Sequence, residues 1–282
     1  MFGTLFVVST PIGNLEDITL RALRVLREAD LVAAEDTRHT AILLTRYDIR
    51  TPTTSFHEHN ERQKLPQLID QLRAGTRIAL VSDAGTPGIR DPGYRLVRAA
   101  VEAGIRVEAV PGASAVLTVL VASGLPTDAF AFLGFAPTKS SARLEWLVRA
   151  AAEPRTVIFF EAPHRIRQTL EALSEVAGER EVVIGRELTK LHEEILRGTP
   201  ATILGQLTEP RGEITVVLGP APATPTAAPP TDEAIWDAYQ RLVTESQTDR
   251  RGAVSTLARR HGLPSKAIYA AIERQKSRTA QD

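Results

Sequence analysis

The stretch Arg77-Ile78-Ala79-Leu80-Val81-Ser82-Asp83-Ala84-Gly85-Thr86-Pro87-Gly88, with Asp91-Pro92-Gly93-Tyr94 after it, decides how this chain folds. Its apolar first part predicts a buried strand. The amphipathic run 95–103 beyond it predicts a helix. A strand that enters a Gly/Pro-rich acidic loop and then a helix marks the place where open α/β sheets bind ligands. Glycine lets the backbone approach a ligand closely, and proline sets the turn. Asp83, at the end of the strand, is placed to receive a ligand amine or hydroxyl. A tight βα connection without a ligand is the competing reading.

Outward from this stretch the same alternation recurs. Residues 5–9 read as a strand and enter the loop Thr10-Pro11-Ile12-Gly13-Asn14. Helical spacing runs over 18–29. A short strand at 31–34 ends at Glu35-Asp36-Thr37-Arg38-His39-Thr40, and helices are expected at 40–47 and 61–73. After the strand 78–82 and the helix 95–103 come a strand at 107–110, the loop Pro111-Gly112-Ala113-Ser114 and a helix at 115–123. Alternating strands and helices predict a mostly parallel sheet. Beyond Gly124-Leu125-Pro126 a second α/β unit begins. It has strands at 130–135, 156–160, 181–186 and 213–218, helices at 144–151, 166–177 and 202–207, and a loop carrying Lys139 and Arg143.

Residues 220–231 are Pro, Ala and Thr only, the composition of a semi-rigid extended linker. Three short helices are expected over 232–273. Within them, residues 257–268 have helix-turn-helix spacing: Ala258 at a helix crossing, Gly262 in the turn, Ile268 as the apolar anchor. The expected organisation is an α/β domain at 1–123, a second at 124–219, the linker, and a helical module at 232–282.

Composition narrows the chemistry. At 282 residues the chain holds one large or two medium domains. It has no cysteine, which excludes disulfides, thiolate metal sites and thiol nucleophiles. The six histidines show no metal-ligand spacing, and no metal site is expected. The apolar first residues lack a basic flank and meet Pro11 and Gly13 early, so they read as a core strand rather than a signal peptide. With no run of about 18 apolar residues, no membrane span is expected and a cytoplasmic location is the default. The formal charge of zero hides an asymmetry. Residues 250–278 carry eight Lys/Arg against the single acid Glu273, a balance of +7 that the rest of the chain cancels. A basic tail on an acidic body suggests a nucleic-acid partner, and a solvated helical surface is the plain alternative.

None of the three loops at 10–13, 82–88 and 111–114 is Gly-x-Gly-x-x-Gly, and there is no Walker lysine loop or Gly-x-Ser-x-Gly elbow. What remains is a cleft of backbone amides, small side chains and one Asp. It suits a zwitterionic ligand with an uncharged sugar better than a polyphosphate.

Six motifs in order carry a resemblance. They are Ser9-Thr10-Pro11-Ile12-Gly13-Asn14-Leu15-Glu16-Asp17-Ile18-Thr19, Ala34-Glu35-Asp36-Thr37-Arg38, the 82–88 loop with Asp91-Pro92-Gly93, Val110-Pro111-Gly112-Ala113-Ser114, Phe159-Phe160-Glu161-Ala162-Pro163-His164-Arg165, and Gly185-Arg186-Glu187-Leu188-Thr189-Lys190. Together they resemble the ribosomal RNA small subunit methyltransferase I family of tetrapyrrole-methylase-like enzymes, over essentially the whole chain. The resemblance implies two α/β domains with S-adenosylmethionine in the cleft between them, usually in a homodimer. It implies methylation of a cytidine ribose 2′-hydroxyl in the decoding region of 16S rRNA. Biosynthetic tetrapyrrole methylases have a Gly-rich first loop and Gly-Asp-Pro in the second. Here residues 9–13 and Ser82-Asp83-Ala84 stand in those places, which turns the expected acceptor from porphyrinoids towards RNA.

By motif, cofactor contacts are expected at Pro11, Ile12, Asp83, Ala84, Thr86, Ser114, Ala115 and Phe160, with Glu213 and Ile214 on the adenine side. A ribose hydroxyl needs a base as the methyl group transfers, and Glu35, Asp36, His57 and Lys190 are the candidates. Lysine qualifies only with a depressed pKa. Structural roles compete at each: a helix cap for Glu35 and Asp36, a loop position for His57, an ion pair with Glu187 or Glu194 for Lys190. Basic residues near the cleft, Arg38, His39, Lys139, Arg143, His164 and Arg165, are the expected RNA contacts. Two other readings stay open: a methylase of a small tetrapyrrole-like substrate, and a ligand-sensing nucleic-acid-binding regulator.

Overall fold

The structure, a computed structural model, describes residues 2–208, 212–222, 230–245, 249–261 and 263–279. Gly262 and residues 223–229 of the expected linker lie outside the described residues. The chain divides into two compact units, Met1–Ala221 and Pro222–Asp282.

The first unit contains two five-stranded sheets. Strands β1 (Thr4–Val8), β2 (Leu31–Ala34), β3 (Thr53–Ser55), β4 (Ile78–Val81) and β5 (Arg106–Val110) build the first in the order β3-β2-β4-β1-β5. Every pairing in it is parallel, as the alternation predicts. Four helices cover its faces: α1 (Leu20–Glu28), α2 (Thr37–Arg46), α3 (Glu61–Arg73) and α4 (Tyr94–Glu102). Successive strand residues point to opposite faces, and both faces of this sheet are buried, so β4 is apolar at every position. Ala79 and Val81 pack with Leu23, Leu26 and Leu43 of α1 and α2. Ile78 and Leu80 pack with Leu68, Leu72 and Leu96 of α3 and α4. Side-chain caps fix two helix starts: Thr19 Oγ1 accepts from Ala22 N at 3.0 Å, and Asp36 Oδ1 from Arg38 N at 2.8 Å.

The helix α5 (Ala115–Ser123) leaves the first sheet and packs on the second, where Val116, Val119 and Leu120 meet Ile158, Val183 and Val217. That sheet consists of β6 (Phe130–Phe135), β7 (Thr156–Glu161), β8 (Val182–Arg186), β9 (Glu194–Gly198) and β10 (Ile214–Leu218), ordered β6-β7-β10-β8-β9. Only β6–β7 is parallel; the other pairings are antiparallel. Helices α6 (Ser140–Ala151), α7 (Ile166–Ala177) and α8 (Pro200–Gln206) close its far face through Leu147, Leu170, Leu173 and Ile203.

Two expectations need correction here. Helix α6 begins at Ser140, so Arg143 sits on a helix and not in a flexible loop. Its side chain is buried, and its guanidinium donates to Thr138 O at 3.2 Å, Pro137 O at 3.4 Å and Gln168 Oε1 at 2.9 Å. It therefore fastens the turn before α6 to α7. Strands β3 and β9, unforeseen in the sequence, are edge strands.

The second unit contains α9 (Asp232–Glu245), α10 (Arg250–His261) and α11 (Ser265–Thr279). They share a small core of Ile235, Val254, Leu257, Ile268, Ala271 and Ile272. A two-pronged ion pair from Arg274 to Asp232, at 2.6 and 2.8 Å, joins α11 to α9. Among the described residues no helix is long and apolar enough to cross a membrane.

Candidate active site

A cavity of about 710 Å3 opens where the carboxyl ends of β1, β4 and β5 face the second sheet. The first sheet supplies Ser9, the 83–86 turn and the segment 110–112; α5 supplies its first turn from Ser114 to Leu117. From the second sheet come Phe135, Phe160 to Pro163, and Gly212 to Thr215.

The loops of the first sheet are laced together. Thr10 and Gly85 exchange backbone hydrogen bonds, N to O, at 2.8 and 3.1 Å. Thr10 Oγ1 donates to Ser82 O at 3.1 Å, and the Ser9 and Thr86 hydroxyls lie 2.8 Å apart. Gly112 lies flat against Ser9: a Cβ there would stand 2.9 Å from Ser9 Cβ. The cavity wall is a braced set of backbone groups, as the small residues of these motifs require.

Nine of the ten expected cofactor positions line this cavity: Ile12, Asp83, Ala84, Thr86, Ser114, Ala115, Phe160, Glu213 and Ile214. Pro11 is the exception; it is buried beside them.

The acid in the cleft is not a lone Asp83. Glu35 and Asp91 line the cavity with it, and the three form a cluster. Asp83 Oδ1 accepts from Asp36 N at 3.0 Å, and Asp83 N donates to Glu35 Oε2 at 3.3 Å, so the ends of β2 and β4 hold each other. Burial raises the Glu35 carboxyl above its ordinary range, and the neighbouring Asp83 charge adds to this. Asp91 moves furthest. Burial first, then the charges of Glu35, Asp83 and Glu213, push it up to about 7, against the opposing hydrogen bond from Ser82. The sequence places Asp91 eight residues beyond Asp83, and nothing in that spacing shows that the chain folds back to bring the two together.

The other expected bases separate. Asp36 caps α2 and holds Arg38 through two side-chain bonds at 3.1 and 2.7 Å, which keeps its carboxyl well below the usual range. Lys190 pairs with Glu187 at 3.0 Å and Glu213 at 3.6 Å. Burial alone would lower its ammonium, but these partners outweigh it and raise the pKa, opposite to what a lysine base needs. Glu194 pairs with Arg186 instead. His57 is absent from the cavity wall; it lies in the hydrogen-bonded turn around Asn60, near enough to Glu35 to be felt by it.

Of the expected RNA contacts, Lys139 and His164 are exposed, the latter directly after the cavity residue Pro163. Arg38 and His39 are exposed on the first turn of α2. Arg165 turns inward: its Nε and Nη2 donate to Glu161 Oε1 at 2.8 and 2.7 Å. Glu161 is buried and also accepts from Thr169 at 2.6 Å. Arg165 therefore neutralises an interior carboxylate and is no free cation, just as Arg143 is not. Among the described residues Arg90 is the one lysine or arginine on the cavity wall. No group of His, Asp or Glu among them is arranged to hold a metal.

The comparisons with known proteins fit this geometry. The family model Tetrapyrrole (Corrin/Porphyrin) Methylases matches residues 4–204. A ribosomal RNA small subunit methyltransferase I from Synechocystis sp. is 46% identical over 271 residues, 95% of this chain and 96% of that protein. The protein of the same name from Escherichia coli O157:H7 is 44% identical over 97% of this chain and 96% of its own length. The chain belongs to the ribosomal RNA small subunit methyltransferase I family. Because only residues 1–221 form the first unit, alignments of this length run into the helical unit as well. Solved structures share the fold over a shorter span. Uroporphyrin-III-C-methyltransferase from Thermus thermophilus, complexed with S-adenosyl homocysteine, has a TM-score of 0.55 at 20% identity and covers 77% of this chain and 97% of that one. Diphthine synthase has a TM-score of 0.58 at 16% identity over 77% of this chain and 90% of its own.

Proposed function

We propose that this protein transfers a methyl group from S-adenosylmethionine to the 2′-hydroxyl of a cytidine in the decoding region of 16S rRNA, as a cytoplasmic homodimer. The observation that carries the reading is identity of 44–46%, along nearly the whole chain, to proteins named for methylation of small-subunit ribosomal RNA.

The cavity suits the cofactor on its own evidence. Three clustered carboxyl groups favour a cationic ligand, and a single arginine on the wall disfavours a polyphosphate. Gly112 and the 83–86 turn admit a close backbone approach, and Ile12, Val116, Phe160 and Ile214 supply an apolar lining. Asp83, Ala84, Thr86, Ser114 and Ala115 would hold S-adenosylmethionine from the first sheet, with Phe160, Glu213 and Ile214 opposite. Bound there, it supplies an activated methyl group on a sulfonium.

The protein's own work is to position the acceptor, exclude water and take a proton. Positioning supplies most of the rate in an in-line transfer. Asp91 is the proton acceptor in this reading, with Glu35 beside it: as the hydroxyl oxygen took the methyl carbon, the carbon–sulfur bond would break to leave a neutral thioether, and the hydroxyl proton would pass to the Asp91 carboxylate. A carboxyl with a pKa near the working pH suits general-base chemistry. Lys139 and Arg38, with the exposed His164 and His39, are the remaining polar side chains for the RNA backbone. The basic helical unit, residues 232–282, is a further substrate-binding arm, and the α/β part divides at residue 123. Leu117 and Val121, exposed on α5, offer apolar surface to a second copy. Light scattering tests the dimer. Methyl transfer from labelled S-adenosylmethionine to unmodified small ribosomal subunits tests the activity.

A further inference from the structure

One wall of the cavity carries a feature that neither the cofactor nor the proton acceptor accounts for. Strand β6 runs in register with β7 up to Phe132 opposite Ile158, and resumes with Phe135 opposite Phe160. Three steps on β6 match two on β7, so one extra residue is inserted. Gly134, at φ +74°, takes the conformation that the extra residue needs. Such a bulge re-aims the side chain that follows it. Phe135 is 46% exposed, lines the cavity, and leans on Phe160 with ring centres 5.2 Å apart and the ring planes tilted by 59°. An aromatic ring open to a ligand cavity offers a face on which a planar ligand can lie.

The partner already lying on that ring is Arg90. Its guanidinium carbon stands 5.5 Å from the Phe135 ring centre. Arg90 holds φ at +69°, a region an arginine rarely adopts, and its side chain passes over Gly134 so closely that a Cβ there would stand 2.9 Å from Arg90 Cδ. Two backbone irregularities on different halves of the unit thus converge to set one guanidinium over one exposed ring. Ile89, half exposed, adjoins them on the cavity wall.

We propose that Phe135 and Arg90 form the platform on which the acceptor nucleotide's base is stacked once it is drawn out of the RNA. A planar, uncharged heterocycle stacks on an open aromatic face or on a guanidinium plane, and single-stranded RNA is recognised by such stacking. Asp91 follows Arg90 directly, so a base held here brings its ribose to the carboxyl cluster. This rests on the methyl-transfer reading above and adds how that site seats its acceptor. Arg90 and Phe135 are positioning residues for the acceptor and make no contact with the transferred methyl group.

The test has two arms. In the first, steady-state methylation of unmodified small subunits is measured for wild type, Phe135→Ala, Phe135→Tyr and Arg90→Ala, alongside calorimetric titration with S-adenosylmethionine. Loss of a stacked base lowers kcat/KM for the subunit by about tenfold or more in Phe135→Ala and in Arg90→Ala, while cofactor affinity stays within twofold and Phe135→Tyr retains wild-type behaviour. Unchanged kcat/KM in Phe135→Ala overturns the platform. A matching loss of cofactor affinity also overturns it, because the ring would then serve the adenine of the cofactor. In the second arm, a short single-stranded RNA carrying one fluorescent cytidine analogue is titrated with the same four full-length proteins. Quenching by wild type and Phe135→Tyr but not Phe135→Ala supports the platform even if no subunit is methylated, a result that would reject the enzymatic reading alone. Equal quenching by all four proteins, or by none, overturns the platform.

Discussion

Replacing Asp91 with asparagine removes one charge from the Glu35–Asp83–Asp91 cluster and leaves its shape nearly unchanged. The folded protein holds the Asp91 proton up to about pH 7, whereas the ordinary value is 3.8. Between those values the folded state binds more protons than the unfolded chain, so Asp91 makes stability fall as pH rises from about 4 to about 7. The displacement corresponds to about 4 kcal/mol at ~1.4 kcal/mol per tenfold change in acidity. The carboxyl is part-exposed, and solvent screening reduces the usable amount to roughly 1 kcal/mol. Asp91→Asn should therefore melt about 2–4 °C above wild type at pH 8, with the gap closing below pH 4. Thermal unfolding followed by circular dichroism across that range is the assay. Activity should move the other way, with kcat falling by roughly 10²-fold or more as the proton acceptor is lost. In wild type the rate should rise with pH through about 7 and then level, because the base works only when deprotonated. A variant less stable than wild type at pH 8, or a stability gap unchanged between pH 4 and 8, would refute the reading of the cluster. Full activity in Asp91→Asn would refute its catalytic role.

Three further outcomes are expected. Asp83→Ala should weaken S-adenosylmethionine binding at least tenfold by calorimetry, since it removes a cavity charge and frees Asp36 N; unchanged affinity would contradict the cofactor site. Arg143→Ala should cost about 2 kcal/mol, lowering the melting temperature by ~4–8 °C, because three part-buried hydrogen bonds are lost. A salt-dependent loss of RNA affinity without destabilisation would restore Arg143 as an RNA contact. Deleting residues 232–282 should leave cofactor affinity intact and weaken RNA association in a salt-dependent way; full-rate methylation at physiological salt by the truncated protein would exclude the arm.

The parallel first sheet was legible because its strands are buried on both faces and read as apolar runs, Ile78–Val81 above all. Strand β3, Thr53–Ser55, has no such run: it is a three-residue polar edge. Strand β9 is a partly exposed edge as well, and edge strands need no apolar face on both sides. The loops at the strand ends were legible from Gly, Pro and Ser spacing, and nine of the ten positions that the resemblance implied do line the cavity. Long-range charge was not. Arg143 and Arg165 look like surface cations in sequence, but each faces an acceptor that folding supplies: carbonyl groups and Gln168 for one, Glu161 for the other. Asp91 and Phe135 were missed for a related reason. A turn at 86–89 just before Asp91 and a one-residue bulge in β6 just before Phe135 bring them to the cavity, and neither leaves a periodic signal in the sequence.

The identity of the methylated atom can be measured directly. Small ribosomal subunits lacking the modification are incubated with the protein and S-adenosylmethionine labelled on the methyl group, and the 16S rRNA is then digested to nucleosides. The label should be recovered as 2′-O-methylcytidine from the decoding region. Label on a base, label in a porphyrinoid offered in competition, or no label in RNA would contradict it.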